Sequence, residues 1–322
     1  MSDHMPSGPL DPIAALIADY FKTDPVWQGM LTRPVAETRA AIRAGTPMSL
    51  TPAMAHVEDF RVPAEGGDIG LRLYRPVPQV PALILWAHGG GFAFGSADES
   101  DNFARALAAE TGCAVASIEY RLAPEHKFPT AVNDVLAATM WAAARTAALA
   151  GRDVPLILGG DSAGANLATV VTRKLHAAQN CAIAGNVLAY PSTDGPDAAS
   201  LREFEPAFLT LAEMDWFIDH YLPDAAARRH PDFAPLHAQD LALLPPSLII
   251  TAEHDIITAQ AEAYGRKLAA SGVDVRTIRH PGMIHGFLTL DAFFPGAAGQ
   301  AMRDIAAFIA GITASKEDAA AS

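Results

Sequence analysis

Cysteine is scarce in this chain. The 322 residues hold two, Cys113 and Cys181, too few for a disulfide framework. Both lie in apolar stretches, where buried free thiols are expected. Basic charge is also short: 23 Lys and Arg stand against 36 Asp and Glu, a formal net charge of −13. A nucleic-acid binder needs a basic face, and an anionic lipid surface repels such a chain, so neither nucleic acid nor membrane is an expected partner. The apolar stretch around Ala131–Ala150 is interrupted by Asn133, Asp134 and Arg145 and is not a membrane span. Residues 1–10 lack a basic start followed by an apolar core, so no secretory signal is read and a cytoplasmic location is expected. The eleven histidines are scattered, with no H-E-x-x-H or related ligand set. Neither a catalytic metal nor another cofactor is expected.

What is present is an alternation of two periods. Half the residues are hydrophobic, ample for a packed core. Asp11-Pro12-Ile13 reads as an N-cap with proline in the first turn, and Ile13, Leu16, Ile17 and Tyr20 follow at helical spacing. Strand-like runs are Val57–Val62, Ile69–Tyr74, Ala82–Ala87, Cys113–Ile118, Leu156–Gly159, Asn186–Ala189, Leu248–Thr251 and Val273–Ile278. Helical patterns occupy Asp101–Thr111, Ala131–Ala150, Ala165–Ala178 and Ala259–Ala270. Strands alternating with helices predict an α/β fold with a mostly parallel sheet. The stretch 192–246 is too long for a simple connection and carries Phe204, Phe208, Trp216, Phe217 and Tyr221. It reads as a cap insertion, with 1–50 as a second, N-terminal part of the cap. The catalytic domain is expected in two pieces, 51–191 and 247–314, and the Ala-rich end, 315–322, as a frayed tail.

Two short strings carry the chemistry. Gly160-Asp161-Ser162-Ala163-Gly164 has the G-x-S-x-G form of a nucleophile elbow, lying between a strand-like run and a helical one. The pattern alone arises by chance in roughly one chain in ten of this length, so this context matters. His88-Gly89-Gly90-Gly91 follows a buried run and offers free backbone N–H groups to a developing oxyanion. It fits neither phosphate-loop pattern. Nucleophile and anion trap together indicate acyl transfer.

A serine nucleophile needs a base, and the base an orienting carboxylate. Downstream of Ser162, the run Leu248–Thr251 leads into Ala252-Glu253-His254-Asp255, and Val273–Ile278 into Arg279-His280-Pro281-Gly282-Met283-Ile284-His285. Candidates are thus Glu253 or Asp255, and His280 or His285. Asp255 is favoured because Glu253 lies close to the strand end. His285 is favoured because a Pro281-Gly282 turn would carry it over the sheet edge, whereas His280 precedes proline and should still be extended, capping the strand. Asp161 is expected to point away from the reaction and organise neighbouring loops.

The strings His88–Gly95, Tyr120-Arg121-Leu122-Ala123-Pro124-Glu125, Gly160–Leu167 and Gly282–Phe287 occur in one order. On these motifs the chain resembles the hormone-sensitive-lipase-like (bacterial family IV) carboxylesterases of the α/β-hydrolase fold, from about residue 50 to 310. The resemblance implies a central eight-stranded, mostly parallel sheet with a helical cap. It also implies hydrolysis of short- to medium-chain esters by Ser162, Asp255 and His285. The oxyanion hole it implies comes from Gly90, Gly91 and Ala163, with Tyr120–Glu125 shaping the glycine loop. Ile256-Ile257 departs from the Pro-Leu that often follows the family's acid. Phe92, Phe94, Phe208, Leu209, Ile284 and Phe287 are expected to line the substrate pocket. Family members pair through the edge strand near Val273–Ile278, which makes a homodimer an expectation. The resemblance also extends to non-hydrolytic hormone receptors, which depart at the histidine that this chain keeps; amidase or lipase activity is the other alternative.

Overall fold

The computed structural model describes residues 5–321 apart from 47–49, 180–182, 196–197 and 203–205, so Cys181 and Phe204 lie outside the described residues. Three helices, α1 (Pro12–Thr23), α2 (Pro25–Gln28) and α3 (Val35–Gly45), precede the first strand. Asp11 caps α1 by accepting from the N–H groups of Ile13 and Ala14 at 2.8 and 3.2 Å. Asp24, which ends α1, caps α2 in the same way.

Eight strands form one sheet: β1 (His56–Val62), β2 (Ile69–Arg75), β3 (Leu83–Ala87), β4 (Ala114–Glu119), β5 (Leu156–Asp161), β6 (Gly185–Ala189), β7 (Ser247–His254) and β8 (Val275–Ile284). Their order is β1-β2-β4-β3-β5-β6-β7-β8. Only the pairs β1–β2 and β2–β4 are antiparallel; the rest are parallel. The central strands are apolar on both faces, as parallel strands covered by helices must be. In β3, Leu83, Leu85 and Ala87 join one core and Ile84 and Trp86 the other. One face is covered by α5 (Thr130–Ala143), α7 (Ala163–Ala177) and α9 (Thr258–Ala270). The other is covered by α4 (Asp101–Thr111) and α10 (Pro295–Ala321).

Three differences from the sequence reading stand out. The helical run Ala131–Ala150 divides into α5 and a short α6 (Thr146–Ala150), parted at Arg145, whose backbone leaves the helical region (φ −137°, ψ +18°). β8 does not stop at Ile278 but runs through Pro281 to Ile284, with a register shift against β7 between Ala252 and His254. It is an edge strand, where a residue without an N–H is tolerated. The tail expected to fray continues α10 to Ala321, as suits an alanine-rich sequence. Among the described residues of the stretch 192–246 lie α8 (Leu211–Tyr221) and three 3-10 turns. Asn166 on α7 anchors this stretch by donating to the carbonyls of Ser192 (2.7 Å) and Phe233 (2.6 Å). Cys113 is buried and free, and burial pushes its thiol up to about 11. Among the described residues, no helix is long and apolar enough to cross a membrane.

Candidate active site

The site forms where four strands deliver their C-terminal ends to one edge of the sheet, the usual place for ligands in α/β folds. β5 ends at Asp161, and α7 begins two residues later. Between them Ser162 takes φ +53° and ψ −118°, a conformation that L-residues avoid and that the surrounding structure must enforce. Its N–H donates to the Ala189 carbonyl at 2.9 Å, and its carbonyl accepts from Asn166. The close packing that fixes it requires glycine: a Cβ on Gly164 would lie 1.9 Å from the Ala87 carbonyl oxygen.

The ends of β7 and β8 supply the partners. His285 Nε2 lies 2.9 Å from Ser162 Oγ, and His285 Nδ1 lies 2.7 Å from Asp255 Oδ2. The carboxylate beside Nδ1 places the ring proton on Nδ1 and leaves Nε2 to accept from the serine hydroxyl. The other Asp255 oxygen accepts from the Ile257 N–H at 3.1 Å. Asp255 is 1 % exposed and His285 8 %, so the pair acts in a medium of low polarity. The Tyr190 ring lies beside the imidazole, centroids 4.8 Å apart.

The glycine loop follows β3. Gly90 and Gly91 both have positive φ, +100° and +58°, and the Gly90 carbonyl turns back to accept from Ala93 and Phe94. Among the described residues, the N–H groups of Gly90, Gly91 and Ala163 have no intramolecular acceptor. Ala163 opens α7, where N–H groups are unpaired and the helix dipole favours negative charge. The loop is propped from below. Tyr120 Oη donates to the His88 carbonyl at 2.8 Å and stacks on the His88 ring. Ala123 N–H donates to the Phe92 carbonyl, and Arg39 of α3 donates to the Ala93 and Ala123 carbonyls and pairs with Glu125. The Tyr120–Glu125 string thus holds the loop.

Asp161 is turned from Ser162 toward this loop. Its Oδ1 accepts from Trp86 Nε1 at 3.0 Å, and its Oδ2 abuts Gly89. Burial pushes its carboxyl up to about 6, against the opposing effects of the Trp86 N–H and nearby His285.

Above these groups is a cavity of about 380 Å³. Ser162, His285, Gly90, Gly91 and Ala163 line its floor, and mostly apolar side chains its walls. Of the side chains expected there, Phe92, Phe208 and Leu209 line it. Phe94, Ile284 and Phe287 do not. Phe94 packs into an aromatic cluster with Trp27, Trp216 and Phe217, and Ile284 and Phe287 are fully buried in the core that α4 and α10 share. Adjacency to a motif did not fix which way these side chains point. Further walls, which the sequence did not reveal, come from Phe21 and Trp27 of the N-terminal helices, from Met30 in the turn after α2, and from Tyr190. No local signal links residues so far apart in the chain.

Glu253 and His280 sit apart from the serine. Glu253 accepts from Gly282, Ser7 and Gly8. His280 packs on Phe287, and its Nε2 has no partner among the described residues, so the capping bond expected of it is not made; burial lowers its basicity. No group of three or more His, Cys, Asp or Glu side chains converges as a metal site among the described residues.

Comparison with known proteins agrees with this architecture. A family model described as alpha/beta hydrolase fold matches residues 84–289. An ethyl acetate hydrolase of Pseudomonas putida is 35% identical over 240 residues, 72% of this chain and 76% of that protein. A carboxylesterase of Mycobacterium tuberculosis, NlhH, is 32% identical over 311 residues, 92% of this chain and 95% of that protein. A hyperthermophilic esterase structure from Pyrobaculum calidifontis superposes with a TM-score of 0.83 at 34% identity, covering 94% of this chain and 98% of that one. The chain belongs to the α/β-hydrolase-fold family, within its hormone-sensitive-lipase-like branch.

Proposed function

We propose that this protein is a carboxylesterase that hydrolyses short- to medium-chain esters through an acyl-enzyme on Ser162. The observation that carries the reading is the unbroken relay Ser162–His285–Asp255, at 2.9 and 2.7 Å, beneath a largely apolar cavity. Ser162 Oγ attacks the ester carbonyl as His285 Nε2 takes its proton. Asp255 keeps the imidazole oriented and stabilises its cation. The oxyanion is received by the N–H groups of Gly90, Gly91 and Ala163, which are in place before charge develops. His285 then protonates the departing alcohol, and a water activated by the same imidazole frees the acid.

The cavity size supports the substrate range. A space of roughly 150 Å³ holds one benzene-sized group, so about 380 Å³ suits two or three such groups rather than long acyl chains. On this reading 1–50 and 192–246 form a cap that keeps water from the relay, and 51–191 with 247–314 form the hydrolase domain. The test is a series of p-nitrophenyl esters from acetate to dodecanoate. The reading expects kcat/KM to peak at or below octanoate. A rise through dodecanoate, or no hydrolysis of any member, would overturn it.

A further inference from the structure

Glu253, the carboxylate that sequence order offers as a rival to Asp255, takes no part in the serine relay, yet it sits where three segments of the site meet. Its Oε1 accepts from Ser7 N–H (2.9 Å), Ser7 Oγ–H (2.9 Å) and Gly8 N–H (3.1 Å). Its Oε2 accepts from Gly282 N–H at 2.8 Å. Each oxygen thus serves a different segment. The Gly282 carbonyl in turn accepts from Asp11 N–H at 3.0 Å, and Asp11 is the residue that caps α1. A Cβ on Gly282 would press on Asp11 N at 3.1 Å and on the Pro9 carbonyl oxygen at 3.3 Å, so the arm and the end of β8 pack backbone to backbone.

We infer that Glu253 is a positioning residue for the reaction: its carboxylate docks the N-terminal arm, and with it the α1 wall of the cavity, onto the loops that carry Asp255 and His285. Asp255 follows Glu253 by two residues, and His285 follows Gly282 by three. Ala18, Phe21 and Lys22 of α1 line the cavity. One buried carboxylate therefore links substrate wall, acid and base. Asp would be one methylene too short to reach both sides. Gln has the same size but one acceptor oxygen; its NH2 would face N–H donors on one side or the other. The inference rests on the reading of Ser162, Asp255 and His285 as the relay.

The test compares Glu253→Gln and Glu253→Ala with Ser162→Ala and Phe21→Ala, using p-nitrophenyl acetate and butyrate well below the melting temperature. Small displacements of reacting groups cost on the order of 10²-fold. The expected result is a fall in kcat of about 10–100-fold for either Glu253 variant. KM for butyrate should rise in Glu253→Ala and in Phe21→Ala, with the double variant no worse than the more impaired single. Hydrogen exchange should quicken in both 5–12 and 280–286. A role confined to stability would lower the melting temperature while leaving kcat, KM and the additivity with Phe21 unchanged, and would overturn the inference. So would faster exchange in the arm alone with normal kinetics. Activity surviving Ser162→Ala would instead refute the relay itself.

Discussion

Replacing Gly164 by alanine tests whether the elbow and the glycine loop form one rigid unit. The added Cβ would sit 1.9 Å from the Ala87 carbonyl oxygen and 2.5 Å from that of His88, where ordinary contact begins near 3.4 Å. Both obstacles are backbone: β3 is pinned between β4 and β5, so no side chain can swing aside. Relief requires α7 and the strand end to part by about 1.5 Å, the shortfall between 1.9 and 3.4 Å. That movement separates the Ala163 N–H from those of Gly90 and Gly91. Loss of one oxyanion donor costs about 10²–10³ in kcat, roughly 3–4 kcal/mol of transition-state stabilisation. Overpacking adds about 1–3 kcal/mol of destabilisation. Gly91→Ala is the internal control. Its Cβ would lie 2.1 Å from Cδ1 and 2.3 Å from Cγ of Phe217, a side chain that must swing about χ1 to clear it, and φ +58° adds about 1–2 kcal/mol of backbone strain. Steady-state hydrolysis of p-nitrophenyl acetate, with circular dichroism to verify folding, should show Gly164→Ala losing at least ten times more kcat than Gly91→Ala. A folded Gly164→Ala enzyme with more than a tenth of wild-type turnover would refute the reasoning.

Asp255→Asn should leave the fold intact but lower kcat by about 10⁴-fold, because an amide no longer enforces the proton on Nδ1; stopped-flow acylation rates check this. Asp161 gives a pH signature. Its folded carboxyl, raised from 3.8 to about 6, binds protons more readily than the unfolded chain. It therefore adds stability fully present below pH 3.8 that is lost as pH rises through 6, on the order of 3 kcal/mol in all. Asp161→Asn should flatten the melting temperature between pH 4 and 7, and an unchanged pH profile would count against a buried ionisable Asp161. Glu253 has the opposite sign: burial works to raise it, but its donors outweigh that and hold it down at about 2. Its contribution is present above pH 4.5 and is lost as pH falls toward 2, so Glu253→Gln should reduce the acid-range slope of stability in urea titrations. Finally, Phe217→Ala removes a ring that lines the cavity over Gly91. Room for two more methylenes at about 0.8 kcal/mol each should raise the decanoate-to-butyrate ratio of kcat/KM by up to roughly fifteenfold.

The scaffold is readable from the chain because its periods are clean. β3 and β5 are short apolar runs buried on both faces, and the helices between strands keep an apolar stripe. The proposed relay was legible for a related reason: after each of three strand-like runs the sequence offers only one or two side chains of the needed type, and the order along the chain limits the pairing. What was illegible depends on contacts between distant segments. Pro281 reads as a stop, yet β8 is an edge strand and absorbs it in a bulge. Arg145 parts α5 from α6 without glycine or proline to mark the break. Phe94 lies beside the glycine loop in sequence, but its ring turns toward Trp27 and Trp216. Phe21 and Trp27 reach the cavity from more than 130 residues before Ser162, and the inferred tie, Glu253 to Ser7 and Gly8, joins residues 246 and 245 positions apart.

The most direct measurement of the central claim is peptide mass spectrometry after reaction with a diethyl p-nitrophenyl phosphate, which phosphorylates only an activated nucleophile. The account predicts one diethylphosphoryl group per chain, on Ser162, formed in step with loss of esterase activity and abolished in His285→Ala. Full inactivation with the adduct on another residue, or complete labelling of Ser162 with activity retained, would contradict it.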